Sequence, residues 1–311
     1  MSIHPSIQEA LKQLPIKLPD TLNEEIIKEI REMQQIPLPV EIKPPIYQWE
    51  DRVIPGPNGE IPVRIYTPKA QSEKYKGIVA YHGGGWTIGS LESHDGAFRL
   101  LANKTGAKVI SVDYRLAPEY PFPAGLEDCY AALKWVFHHA EELQIDEEKI
   151  AVAGDSAGGN ISASLTLMAR DKKGPNIWKQ VLIYPATDAL RSIQDSPYES
   201  IRENKDAPIL TASVTKSFWD HYLSCEEDAN NPYCSPIRAE NLRNLPPAFI
   251  VTAQYDPIRD EGEEYGKRLL NDGVPTKIRR VEGTVHGFIT MPIPLSEEVM
   301  EDIAQFINDE Q

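Results

Sequence analysis

Two hydrophobic periods alternate along the chain, and that alternation restricts its fold more than any other feature. Short apolar runs rich in β-branched residues recur at 47–54, "VRIYTP" (63–68), "GIVAYHG" (77–83), "AKVISVDY" (107–114), "KIAVAG" (149–154), "KQVLIYP" (179–185), "AFIVTAQYD" (248–256) and "TKIRRVEG" (276–283). Stretches with helical spacing lie between most of them, at 95–105, 124–143, 157–171 and 259–272. Strands that are apolar almost throughout need cover on both faces, and helices between consecutive strands supply it. The pattern predicts an α/β architecture, a mostly parallel eight-stranded sheet flanked by helices. A chain of 311 residues can hold such a sheet in one large domain or a domain with a lid.

Two segments leave the alternation. Residues 1–45 read as two amphipathic helices interrupted by prolines. In "TLNEEIIKEIREMQQI" the side chains of Leu22, Ile26, Ile27, Ile30 and Met33 fall on one face, with Thr21 as the expected cap. Residues 188–232 contain "SFWDHYLSC" but no good strand, and read as an inserted helical cap. The expected organisation is therefore N-terminal helices contributing to the cap (1–45), a first part of the core (46–189), the cap insertion (190–232) and a second part of the core (233–311).

Charge and termini narrow the partners. Acidic residues outnumber basic ones 47 to 32, giving a formal charge of −15 that repels phosphate backbones and anionic membrane surfaces. No nucleic-acid partner and no stable membrane association are expected. The opening "MSIHPSIQEALKQLP" has neither a basic start nor an unbroken apolar stretch, which favours a cytoplasmic location over secretion. Cys129, Cys225 and Cys234 fit no metal spacing; Cys225 and Cys234 could pair, but a reduced chain is the better expectation.

The chemistry is carried by a few positions at strand ends. "KIAVAGDSAGGN" places Gly154-Asp155-Ser156-Ala157-Gly158, a G-x-S-x-G, between an apolar strand and a helix. That is the context of a nucleophile elbow, where small flanking residues let the turn close and leave a serine hydroxyl exposed. A serine hydroxyl needs an adjacent base. Of the seven histidines, His286 sits on a glycine-flanked loop after the last strand, where an open α/β sheet places its site. His221 in the cap segment is its chief rival. An imidazole base is held in one tautomer by a buried carboxylate. "VTAQYDPIRDEG" offers Asp256, Asp260 and Glu261, and Asp256 directly follows the strand while Asp260 falls within the next helix. The order Ser156, Asp256, His286 is that of the α/β-hydrolase fold.

"HGGGW" (82–86) follows the third strand-like run. In lipases and esterases such a loop supplies backbone N–H groups to the oxyanion of the tetrahedral intermediate. Gly84 and Gly85 are the expected donors here, joined by Ala157. A phosphate-binding loop would require the lysine and hydroxyl of G-x-x-x-x-G-K-[ST], which are missing. In "SVDYRLAPEYPFPAGLED" (111–128), Arg115 and Glu119 are expected to pin the loop after the fourth strand.

With these motifs in hand the chain resembles the bacterial and archaeal hormone-sensitive lipase family (family IV) of carboxylesterases. The resemblance is carried by "HGGGW" (82–86), "DYRLAPE" (113–119), "GDSAGGN" (154–160), "YDPIRDEG" (255–262) and "HGF" (286–288). It implies an α/β-hydrolase fold with a helical cap, a Ser156–Asp256–His286 triad, an oxyanion hole of Gly84, Gly85 and Ala157, and no cofactor or metal. It further implies a small-molecule ester as substrate, short to medium acyl chains, and a homodimer through the last strand or the terminal helix at 295–309. Trp86, Asp155, Tyr184, Ile209 and Phe218 are the expected pocket wall. The alternatives are an amidase or peptidase with the same triad, and a ligand-binding relative without turnover.

Overall fold

In the computed structural model, which describes residues 2–13, 18–37, 39, 42–71 and 73–310, the eight apolar runs form one sheet. Its strands are β1 (Gln48–Gly56), β2 (Gly59–Thr67), β3 (Tyr75–Tyr81), β4 (Lys108–Val112), β5 (Ile145–Asp155), β6 (Gln180–Ile183), β7 (Ala248–Tyr255) and β8 (Thr276–Val285), in the order β1-β2-β4-β3-β5-β6-β7-β8. β1 pairs antiparallel with β2, and β2 with β4; every later pairing is parallel. β3, parallel to β4, runs antiparallel to β2, so "VRIYTP" needs no crossover helix after it.

Alternation along the central strands builds two cores. In β3, Ile78 and Ala80 join Phe98, Leu101, Met300 and Ile303 from α3 (Asp95–Thr105) and α9 (Pro294–Asn308). Val79 and Tyr81 point to the opposite face, among Leu126, Leu133, Ile161 and Leu165 of α4 (Ala124–His138) and α5 (Ala157–Asp171). β3 and β5 are thus covered on both sides, as parallel strands must be. The helical run at 124–143 ends as a helix at His138.

The two segments outside the alternation pack on each other. α1 is Pro5–Lys12, α2 is Glu24–Gln34, and the connection between β6 and β7 carries α6 (Ser200–Glu203) and α7 (Ala212–Tyr222); α8 (Arg259–Asn271) follows β7. Leu22, Ile27 and Ile30 share one apolar cluster with Trp86, Phe218, Trp219 and Tyr222. The Leu22 N–H donates to Ser217 Oγ (3.0 Å), and His221 Nε2 donates to the Leu22 carbonyl (2.7 Å). Of the segment 1–45, residues 1, 14–17, 38, 40 and 41 lie outside those described.

Several expectations are corrected. The cap of α2 is Asn23, whose Oδ1 accepts from Ile26 N–H (2.9 Å), because the helix begins directly after it and Thr21 is too early to reach a free N–H. Met33 is 38% exposed rather than turned inward. The cysteines follow the preferred reading instead: Cys225 is exposed, Cys234 buried, and both are free. Arg115 does pin its loop, gripping Asp128 through Nε and Nη2 (both 2.8 Å), but Glu119 binds Arg31 of α2 instead.

Candidate active site

Every candidate residue from the motifs lies just beyond the carboxyl end of a parallel strand: His82 after β3, Ser156 after β5, Asp256 after β7 and His286 after β8. That common edge brings together positions up to 204 apart in sequence. Ser156 has φ 54° and ψ −116°, a left-handed backbone that few side chains adopt. The turn closes only because its neighbours are bare. A Cβ on Gly158 would collide with the Tyr81 carbonyl, and one on Gly154 with the backbone of Gly158. The Ser156 N–H donates to the Ile183 carbonyl (2.8 Å), tying the elbow to β6.

Three side chains form a linear relay. Ser156 Oγ lies 2.9 Å from His286 Nε2, and His286 Nδ1 lies 2.7 Å from Asp256 Oδ2. The fully buried Asp256 is fixed on its other oxygen by Ile258 N–H (3.0 Å), and its carbonyl accepts from Asn204 Nδ2 (3.2 Å). With Nδ1–H donating to the carboxylate, Nε2 is left as the acceptor for the serine hydroxyl. The rivals are engaged elsewhere. His221 serves Leu22, Asp260 binds Arg259 (2.8 Å) and Ser200 N–H (2.8 Å), and Glu261 accepts from Thr187 N–H (2.7 Å).

The glycine loop runs beside this relay. Gly84 and Gly85 have φ of 118° and 56°, and among the described residues their N–H groups donate to no other part of the chain. Each N–H is aimed by the carbonyl of its own peptide. The peptide carrying the Gly84 N–H has its carbonyl on Gly83, which accepts from His82 Nδ1 (2.8 Å). The peptide carrying the Gly85 N–H has its carbonyl on Gly84, which accepts from Thr87 N–H (3.0 Å) and Ile88 N–H (2.9 Å). The Gly83 N–H itself goes to Asp155 Oδ1 (3.0 Å), one residue before the serine.

Burial, with His94 nearby, pushes His82 down to about 3, so it stays a neutral imidazole with its proton on Nδ1. Tyr114 stacks on that ring (centroids 4.3 Å apart) and donates to the His82 carbonyl (2.7 Å). Burial pushes the Asp155 carboxyl up, but His94, with His286 and His82 beyond it, more than offsets this and holds Asp155 below the ordinary range. His94 Nε2 is 3.2 Å from Asp155 Oδ1, and its Nδ1 is 2.8 Å from Ser93 Oγ.

The expected wall residues divide. Phe218 lies directly over Gly85, where a Cβ would strike its ring. Ile209 lies against Gly287, and the Tyr184 ring is 4.5 Å from that of His286. Trp86 is buried, stacked on Tyr222 (4.2 Å) and tilted against Trp219 (4.3 Å). The Asp155 carboxylate accepts from the Gly83 N–H and lies beside His94. Trp86, Ser156, Tyr184 and Ile209 all have positive φ, so backbone strain concentrates here. Sequence reasoning missed His94 as a partner of Asp155, and Arg31 and Gln34 as partners of the glycine loop; no motif or spacing signals those contacts.

The chain matches the family model described as alpha/beta hydrolase fold over residues 78–290. It is 40% identical to the esterase LipI of Mycobacterium tuberculosis, over 93% of this chain and 88% of that protein. The arylesterase of Saccharolobus solfataricus is 40% identical over 86% and 85% of the two chains. Among solved structures, the hyperthermophilic esterase of the archaeon Pyrobaculum calidifontis superposes with a TM-score of 0.88 at 41% identity, covering 99% of this chain and 98% of that one.

Proposed function

The chain belongs to the alpha/beta hydrolase fold family, and from that premise we propose a serine carboxylesterase that cleaves short- to medium-chain acyl esters through an acyl-enzyme. It is a carboxylic ester hydrolase like its relatives, which share 40% of its residues over most of the chain. The observation that carries the residue-level reading is the unbroken relay from Ser156 through His286 to Asp256.

Ser156 Oγ attacks the ester carbonyl carbon while its proton passes to His286 Nε2. Asp256 stabilises the imidazolium and keeps its tautomer. The carbonyl oxygen becomes an oxyanion, met by the N–H groups of Gly84, Gly85 and Ala157. Collapse breaks the bond to the alcohol oxygen, which leaves with the proton from His286. Water then repeats the sequence on the acyl-serine, its proton going to His286 and back to Ser156 as the acid departs.

Residues 1–45 and 190–232 would act together as a cap. The mutual packing of α2 and α7 supports this, and Phe218 and Ile209 would bound the space above Gly85 and Gly287. Walls that close favour short to medium acyl chains over long ones. A homodimer through the edge strand β8 or through α9 and a cytoplasmic location belong to the same reading; among the described residues no helix is long and apolar enough to cross a membrane.

The test is hydrolysis of p-nitrophenyl esters from acetate to palmitate, beside Ser156→Ala. A rate that peaks at short or medium chains and vanishes in the variant is expected. A peak at the longest chains would make the protein a lipase, a faster matched anilide an amidase, and stoichiometric binding without turnover a receptor.

A further inference from the structure

The two glycines proposed to meet the oxyanion have no side chains, so their geometry depends on whatever grips the rest of their loop. Thr87 is the first grip. Fully buried, it donates its N–H to the Gly84 carbonyl (3.0 Å) and its Oγ1 to the Gly85 carbonyl (2.7 Å). Thr87 is in turn held from α2, outside the sheet: Arg31 Nε donates to the Thr87 carbonyl (2.8 Å). The same guanidinium donates through Nη2 to the Ala117 carbonyl (2.7 Å), and the Ala117 N–H donates to the Trp86 carbonyl (2.9 Å). Three residues along α2, Gln34 accepts from Gly89 N–H at Oε1 (2.7 Å) and from Ser90 Oγ at its carbonyl (3.0 Å).

Resting on the esterase reading, we propose that Arg31 of α2 is a positioning residue for the oxyanion loop, so that turnover depends on how this N-terminal helix is docked. Its planar fork meets two carbonyls on different segments at fixed angles, which a lysine ammonium on a flexible stem cannot reproduce. The remaining donors grip Glu119 (2.8 and 3.0 Å), a carboxylate whose side chain is 55% exposed. That ion pair faces solvent, whereas the carbonyl contacts face the loop. The two parts of the residue can therefore be separated by experiment.

The full-length wild type, Arg31→Met, Arg31→Lys, Glu119→Gln and Ser156→Ala would be compared for kcat and KM on p-nitrophenyl butyrate, inhibition by a trifluoromethyl ketone, and thermal melting. The ketone's hemiketal oxyanion reports on the loop directly. Because small misplacement of catalytic groups can cost ~10²-fold, Arg31→Met should lower kcat about 10- to 100-fold with KM within about 3-fold. Ketone affinity should fall in parallel with kcat/KM. Arg31→Lys should recover little, and Glu119→Gln should stay within about twofold, as an exposed ion pair contributes little.

The inference is overturned if Arg31→Met keeps wild-type kcat and ketone affinity, or if Glu119→Gln reproduces its loss, which would make Arg31 a staple for α2 alone. Should Arg31→Met not fold, Arg31→Lys decides by the same kcat and ketone readouts. A wild type that does not turn over the ester, or a Ser156→Ala that does, would remove the esterase reading itself. An active wild type with an indifferent Arg31 removes only this proposal.

Discussion

Two histidine–carboxylate pairs flank the same serine, and they differ in what their outer ring nitrogens face. His286 puts Nδ1 on Asp256 (2.7 Å) and Nε2 on the Ser156 hydroxyl (2.9 Å). His94 puts Nε2 by Asp155 and the Gly83 N–H (both 3.2 Å) and Nδ1 on Ser93 (2.8 Å). Both pairs are buried, and both are histidine with aspartate. One ends on a strained, closely packed turn whose hydroxyl can give up a proton. The other ends on main chain and a hydroxyl already in a local turn with Ser90. On the proposed mechanism the same two residue types serve proton transfer in one place and loop geometry in the other, and the third partner decides which.

The contrast can be broken most directly at the serine. Replacing Ser156 or His286 by alanine should lower kcat by about 10⁴–10⁶, since members of such a unit act together. Asp256→Asn should cost about 10³–10⁴ by favouring the wrong tautomer while leaving the fold intact, as near-wild-type melting would show. Gly84→Ala would force a Cβ into the Ile88 carbonyl, and should cost about 10²–10³ with KM little changed, the signature of a lost oxyanion donor. His94→Phe should cost only about tenfold, with His94→Gln milder because its amide can still reach Asp155. If His94→Phe proved as damaging as His286→Ala, the two pairs would not have separate roles.

The smallest effect concerns a carboxylate without a histidine. Glu261 is buried and accepts from the N–H groups of Thr187 and Asp188; burial, then the Asp188 carboxylate, pushes its pKa well above the ordinary value. A folded value raised above the unfolded one favours the protonated form in the native state. Its contribution is then full below the unfolded pKa and is lost as pH rises through the folded value. Glu261→Gln, neutral throughout, should gain melting temperature relative to wild type from about pH 5 to pH 9 and keep its activity. A constant difference across that range would show that Glu261 titrates alike in both states.

What the sequence revealed and what it hid follow from range. The eight strands, the elbow and His286 could be read because each depends on a local pattern: an apolar run, then a bare or exposed residue at its end. Asp256 could be preferred over Asp260 because the strand stops one residue before it. The duties of Asp155, Glu119 and Arg31 could not be read, because their partners come from distant segments; Arg31 meets Thr87 56 residues on, and Gly83 meets Asp155 72 residues on. Such pairings follow from how layers stack, which periodicity does not encode. The misplaced cap at Thr21 is a different, local miss: the first turn begins right after Asn23, whose side chain reaches the Ile26 N–H.

The central claim is that Ser156 is the nucleophile of ester hydrolysis, and covalent titration tests it most directly. The enzyme would be treated with one equivalent of diethyl p-nitrophenyl phosphate, and peptide masses read against residual activity on p-nitrophenyl butyrate. A single diethylphosphoryl adduct on Ser156, with activity lost in proportion and one p-nitrophenol released per chain, is the predicted result. Hydrolysis that persists in the fully modified protein, or an adduct elsewhere that accounts for the loss, would contradict it.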